Sequence, residues 1–524
     1  MDIIRPPDSV AAFAVDAPQT PLASVDVQAA VVGRELRLTV SAPDMGVGRV
    51  RLRWRGGVPS GLRVLGDGWE RGYGDLEWRG LVPERVLPWY FLATGGGQTL
   101  GCGVKTGARA LCFWQIDPVG VTLWLDLRNG GRDVHLGDRR LEAATVVALE
   151  AEDGAAPFAF AQGFCRALCP APRLPAAPVY GGNNWYYAYG HSSHEEILTD
   201  ARLMASVAPA HGPRPFMVID DGWQAIWDEH GTVGPWDRGN ARFPDMARLA
   251  SEMKEEGTQP GLWIRPLVTT ETLPDGWFLP EARFSPGFVG RVLDPTVPEA
   301  RAQIGQDIAR VVGWGYGLVK HDFSTYDLLG RWGFEMGSEI TQGGWHFADR
   351  SKTTAEVILD LYECIREAAG GALVLGCNTV GHLGAGLFEL QRTGDDTSGK
   401  VWERTRRMGV NTLAFRMPQH NAFFAVDADC VGLTQDIPWD LNRQWLDLLA
   451  RSGTPLFVSA APEAVGPAQR AALRAAFTRA AMPHPIAEPL DWLDTTCPRR
   501  WRIDGEEVHY DWLGADGAVP ASRC

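Results

Sequence analysis

Acidic residues close a series of short apolar runs in the second half of this chain. FMVI runs into Asp220 and Asp221, LVKH into Asp322, and LQRTG into Asp395 and Asp396, while LWI ends at Arg265 and LVLG at Cys377 and Asn378. A carboxylate directly after an apolar strand is costly inside a core but reasonable at the mouth of one. Two carboxylates from different strands facing one pocket are what hydrolysis of a glycosidic bond requires. One attacks the anomeric carbon; the other protonates the departing oxygen and then activates water. Asp322 and Asp396 suit those roles. Lys320, two residues before Asp322 and on the same face of its strand, would hold the first carboxylate ionised. The second has to keep a raised pKa through burial or a neighbouring like charge, and Asp395 adjoins it.

Other residues of chemical interest carry plainer expectations. His321 lies between Lys320 and Asp322 and so points to the opposite face of the strand, into packing. Asp427, Asp429 and His420 lack a ligand spacing known to hold a metal, and a solvated or loop-stabilising role is expected. Arg265 and Arg291 either bind a charged substituent or orient site carboxylates, the second being commoner. Cys377 has no histidine base beside it in sequence and reads as an uncharged pocket wall. No cofactor or metal is implied.

These residues need a scaffold that brings strand ends together. From Val179 onward apolar strands alternate with helical segments such as MARLASEMKEEG and AEVILDLYECIREAAG. The strands read as VYGGNNWYYA, PFMVID, QPGLWIRP, YGLVKHD, GALVLGC, LFELQRT, TLAFR and TPLFVSA, close to eight units. That pattern predicts a (β/α)8 barrel, with its site at the carboxyl ends of the strands. Ahead of it, ELRLTV, RVRLRW, VTLWLDL and ATVVALEA alternate between Gly, Asp and Pro turns, the pattern of an antiparallel β-sandwich. A Pro/Ala-rich stretch, CPAPRLPAAP, separates the two. The expected division is a sandwich over 1–170, the barrel over 179–485 and a small β region over 486–524.

Composition narrows the partners. The formal net charge is -14, with no Lys/Arg run to neutralise phosphates, so nucleic acid is not expected. The 21 Trp against 10 Tyr suit stacking on sugar rings. Nine scattered cysteines, from Cys102 to Cys524, show no metal spacing and predict a reducing compartment. The opening MDIIRPPDSV lacks a leader pattern and no apolar run approaches a membrane span, so a cytoplasmic, non-membrane protein is expected. Whether a leader once preceded it stays open, as does a homo-oligomer.

VIDDGWQ, GLWIRP, LVKHD and RTGDD, in this order and near these intervals, resemble the catalytic barrel of the α-galactosidases of glycoside hydrolase family 36, in the clan shared with family 27. The resemblance covers roughly residues 179 to 480. It implies exo-acting hydrolysis of terminal α-galactosides with retention, through a covalent glycosyl-aspartate. It implies Asp322 as nucleophile, with Lys320 on sugar hydroxyls. The Arg392 to Asp396 interval favours Asp396 over Asp395 as acid/base. Asp220 and Asp221 match the pair that grips the 4-OH and 6-OH, and Trp185 matches an aromatic lining the sugar. Trp263, Arg265, Cys377, Asn378 and Arg392 join this substrate-binding set.

Alternatives remain at this point: a transglycosylase of the raffinose-synthase type, an α-N-acetylgalactosaminidase, a β-L-arabinopyranosidase, or a non-catalytic carbohydrate-binding protein. The ligand in each is an oligosaccharide or glycoside. The long stretch from Ser324 to Arg350 is expected to cover the pocket and influence which sugar fits.

Overall fold

The computed structural model describes residues 3–59, 61–228, 231–283 and 290–519. Its amino-terminal half is built on alternation. In Arg49–Arg55 the apolar Val50, Leu52 and Trp54 point inward while the arginines between them point out. Two six-stranded antiparallel sheets result, one centred on Arg49–Arg55 and Gly120–Asp126, the other on Glu35–Ala42 and Gly137–Glu150. Two antiparallel sheets with buried inner faces fit the expected sandwich.

The second half forms one nine-stranded sheet. We number its strands β1 (Tyr180–Asn183), β2 (Phe216–Ile219), β3 (Gln259–Ile264), β4 (Leu318–His321), β5 (Leu373–Gly376), β6 (Leu390–Arg392), β7 (Ala425–Asp427), β8 (Cys430–Leu433) and β9 (Leu456–Ala460). Their order is β7-β6-β5-β4-β3-β2-β1-β9-β8, and every neighbouring pair is parallel. The two end strands are separated in the chain only by Ala428 and Asp429, an arrangement consistent with a TIM barrel. Strands buried on both faces read as continuous apolar runs, as FMVI does.

Amphipathic helices cover the outside. In Met246–Glu255, Met246, Leu249, Ala250 and Met253 face inward, and the Arg248 N–H donates to the capping Asp245 at 2.9 Å. Thr353 and Glu356 form a reciprocal capping box at the start of Thr354–Ala368. A three-stranded antiparallel sheet of Glu488–Pro489, Arg500–Ile503 and Glu506–His509 follows the barrel.

Two expected strands differ. TLAFR is helical, Thr412–Arg416, and continues a π-helix over Thr405–Asn411. Its residues are buried all round, and a short apolar run buried on every side has no periodicity to separate helix from strand. VYGGNNWYYA ends as a strand at Asn183, and Trp185–Ala188 is a helical turn. The eight described cysteines are free thiols, Cys524 lying outside the described residues. No described helix is long and apolar enough to cross a membrane.

Candidate active site

Asp322 continues the β4 ladder by one residue, its N–H donating to the Ile264 carbonyl of β3 at 3.0 Å. Three N–H groups then fix its carboxylate: Trp263 Nε1 on Oδ2 at 3.0 Å, and the backbone N–H groups of Phe323 and Asn378 on Oδ1 at 2.7 and 3.0 Å. Burial pushes this carboxyl up, but Arg71, Lys320 and the Trp263 bond together hold it below the usual carboxylate range. Phe323 turns the chain at φ 63, a left-handed conformation unfavourable for a bulky residue, and so swings the backbone N–H onto the carboxylate.

Lys320 donates to Asp220 Oδ2 at 2.6 Å, and Asn183 Nδ2 donates to the same oxygen at 2.6 Å. Burial alone would lower the ammonium's pKa; Asp220 more than offsets it and raises it well above its ordinary value. Gln224 donates to Asp221 Oδ1 at 2.8 Å.

Asp396 lines the same cavity, from the chain after β6. Arg392 Nη2 donates to its Oδ1 at 3.0 Å and also pairs with Asp429 Oδ2 at 2.8 Å, while Arg71 Nη1 lies 3.8 Å from Asp396. Burial would raise the Asp396 carboxyl, yet Arg392, Arg71 and Lys320 hold it down at about 2. The expectation of a raised pKa therefore fails for the unliganded site. Asp395 supplies no uncompensated charge, because Arg71 Nη2 and Arg404 Nη2 clamp it at 2.8 and 2.9 Å. Gly394 permits this crowding, since a Cβ there would lie 2.1 Å from the Met408 carbonyl.

Arg71 comes from outside the barrel. Residues 67–86 connect strands Arg63–Gly66 and Leu87–Pro88 of the sandwich and reach into the strand ends. The Gly72 N–H donates to the Thr393 carbonyl at 2.7 Å, and the Asp395 N–H donates to the Gly72 carbonyl at 2.8 Å, so this segment bridges in parallel to the chain just past β6. Glu70 accepts from Asn378 Nδ2, from the Tyr73 hydroxyl and from the Gly333 N–H. Sequence reading missed Glu70, Arg71 and Tyr73. The available signal was a stretch without alternation, too long for an ordinary turn.

The resulting cavity measures about 1090 Å³. Of the expected residues, Trp185, Asp322 and Asp396 line it. Asp220, Asp221, Trp263, Lys320, Cys377, Asn378 and Arg392 are buried and do not line it, although Trp263 and Asn378 bond Asp322 and Arg392 bonds Asp396. Cys377 receives a bond from Arg392 Nη1 at 3.4 Å, and burial and Asp322 keep the thiol protonated, well above its ordinary value. Arg265 instead directs its fork at Asp327, at 3.0 and 2.6 Å, beneath the Phe323 ring. It anchors helix Ser324–Leu329 and does not line the cavity, and Arg291 pairs with Asp275 elsewhere.

His321 packs edge-on against Tyr362 and Phe388, as expected, its pKa lowered by burial to about 4. Asp427 and Asp429 are buried rather than solvated. Asp429, at φ 72 between β7 and β8, accepts from the Thr397 N–H, the Tyr186 hydroxyl and Arg392. Among the described residues no group of three or more His, Cys, Asp or Glu could hold a metal. In the long stretch after Ser324, Trp332 and Phe334 reach the cavity, but Trp345 and Phe347 are bonded to the sandwich at Gly131 and Asn129.

No family model matches the sequence. Among solved structures, the chain is similar to an α-galactosidase from Thermus thermophilus in complex with p-nitrophenyl α-D-galactopyranoside. The TM-score is 0.62 at 19% identity, over 93% of this chain and 99% of that one. A glycoside hydrolase family 36 α-galactosidase from Geobacillus stearothermophilus in complex with raffinose gives a TM-score of 0.61 at 16% identity, over 94% of this chain and 71% of that one. At such identities the likeness defines the fold. That fold is the one seen in these α-galactosidases, and this chain spans nearly the whole of the Thermus protein.

Proposed function

We propose that the protein is a retaining, exo-acting α-glycosidase that hydrolyses terminal α-galactosides of oligosaccharides. The observation that carries this reading is the pair Asp322 and Asp396, which follow β4 and β6, line one cavity and share Arg71 and Lys320 as neighbouring cations. The likeness in fold to α-galactosidases supports the choice of sugar. We read β7 and β8 as one strand broken at Asp429, which gives eight strand positions in a (β/α)8 barrel, and we take 1–170, 179–485 and 486–524 as the domains.

In this reading Asp322 attacks the anomeric carbon as the glycosidic C–O bond breaks, and the departing oxygen takes the proton of Asp396. Water then gives a proton to Asp396 and attacks the same carbon, releasing Asp322. Asp220, Asp221, Lys320 and Trp185 hold the galactose. To act as acid Asp396 must carry a proton, which Arg392, Arg71 and Lys320 disfavour. A bound sugar favours protonation by displacing the water that stabilises the carboxylate's half-exposed charge.

Proton NMR of products formed from p-nitrophenyl α-galactoside tests this: α-galactose is expected to appear first and mutarotate later. First-formed β-galactose would exclude retention, and turnover of an α-glucoside in its place would exclude the galactoside assignment.

Arg71 lowers the pKa of both carboxylates. In Arg71→Met both should rise. The acid limb of the kcat profile, lost when Asp322 is protonated, and the alkaline limb, lost when Asp396 is deprotonated, should therefore both move to higher pH. Limbs that stay in place would remove Arg71 from the electrostatics of the pair.

A further inference from the structure

The outer half of the cavity carries charge that the proposed sugar site does not use. Its wall is the helix after β6, which is α-helical over Trp402–Arg404 and a π-helix over Thr405–Asn411. Such widened turns are frequent at functional sites. Here Arg404, Arg407 and Met408 all line the cavity, with Lys400 just ahead of them.

The three arginines of this stretch have different partners. Arg404 pairs with Asp395 and donates to the Asp396 carbonyl, and Arg406 pairs with Glu403. Arg407 has no carboxylate within ion-pair distance among the described residues; its Nη2 donates to the Tyr73 carbonyl at 3.5 Å. Lys400 also lacks an acidic partner there, and its Nζ sits 4.1 Å from the centre of the Tyr189 ring.

The acids nearby do not answer them. Asp395 is clamped by Arg71 and Arg404, Asp396 is bonded to Arg392, and Asp322 is held by its three N–H donors. Asp75, the remaining acid on the cavity wall, is exposed and accepts from the Tyr73 N–H, pairing with neither cation. In a chain of net charge -14, two cations without acidic partners thus face the approach to the carboxylate pair, beside the rings of Tyr73, Tyr189 and Phe334.

We infer that this outer half binds an aglycone carrying an anion, a carboxylate or a phosphate monoester, between Arg407 and Lys400. A guanidinium fork matches the oxygens of either group, and an ammonium adds a second point charge. The aromatic rings supply contact area for the rest of the leaving group. The inference rests on the proposed glycosidase reading and adds the substrate class.

Matched substrates test it. Melibionate and melibiitol differ at one terminus by carboxylate against hydroxymethyl, and α-galactosylglycerol phosphate and α-galactosylglycerol differ by the phosphate. In the full chain at low salt, kcat/KM for at least one anionic member is expected to exceed that of its neutral partner by about tenfold, a gap that salt screens. The ratio should fall toward one at about 0.5 M NaCl. It should also fall in Arg407→Gln with Lys400→Gln, and in Lys400→Gln alone should the pair of changes impair folding. Which pair shows the preference separates carboxylate from phosphate.

Turnover of p-nitrophenyl α-galactoside is measured alongside. Turnover with anionic-to-neutral ratios at or below one, or a ratio unmoved by salt and substitution, overturns this inference alone. No turnover of any α-galactoside overturns the glycosidase reading and this inference with it.

Discussion

Asp322→Ala is expected to lower kcat on p-nitrophenyl α-galactoside by about 10⁴-fold or more, because the change removes the group that forms the covalent intermediate. The reason for choosing alanine is structural. The three N–H groups from Trp263, Phe323 and Asn378 that hold the carboxylate remain after truncation and face the space it leaves. A small anion fits that space and those donors. Added azide should therefore restore turnover and yield β-galactosyl azide, since it attacks from the side the aspartate occupied. Wild-type activity in the variant, or rescue that gives the α-azide, would assign the nucleophile elsewhere.

Asp396→Ala is expected to separate substrates by their leaving groups. Nitrophenolate departs without a proton, so formation of the glycosyl-enzyme should survive and its hydrolysis should become limiting, visible as a burst. Raffinose, whose leaving oxygen requires protonation, should lose about 10² to 10⁴ in kcat/KM. Azide should now attack the intermediate from the opposite face and give α-galactosyl azide. The same experiment on Asp395→Ala decides between the neighbours. Asp395 is locked between Arg71 and Arg404, so its loss should disturb both substrates alike. A leaving-group-dependent loss at Asp395 and none at Asp396 would reverse the assignment.

The strand-end carboxylates were legible because each follows a short apolar run, and because parallel strands put all such ends on one side. Lys320 and His321 were separable by the alternation of a strand alone, and they do point oppositely, to Asp220 and to the Tyr362 and Phe388 rings. Which carboxylate Arg265 meets was not legible, because position on a strand end says nothing of where a long side chain reaches, and Asp327 lies within reach. The pKa of Asp396 was misjudged for a related reason. Its neighbour Asp395 mattered less than the cations around it, Arg392 first and then Arg71, which approaches from the sandwich. Strand TLAFR failed because burial on all sides erases period. Glu70, Arg71 and Tyr73 stayed hidden because their segment has neither a helical nor a strand pattern.

That segment also sets when the cavity is complete. Asn378 and Glu70 are 308 positions apart, Arg71 and Cys377 are 306 apart, and the Arg416 bond to the Glu70 carbonyl spans 346. A ribosome therefore releases Arg71 long before either carboxylate it serves exists. Closing contacts of such sequence separation is entropically costly and comes late in folding. Strand and helix content can be complete while the pocket still lacks a wall, so recovery of the proposed activity times the final docking of the two halves, which far-UV circular dichroism would not register.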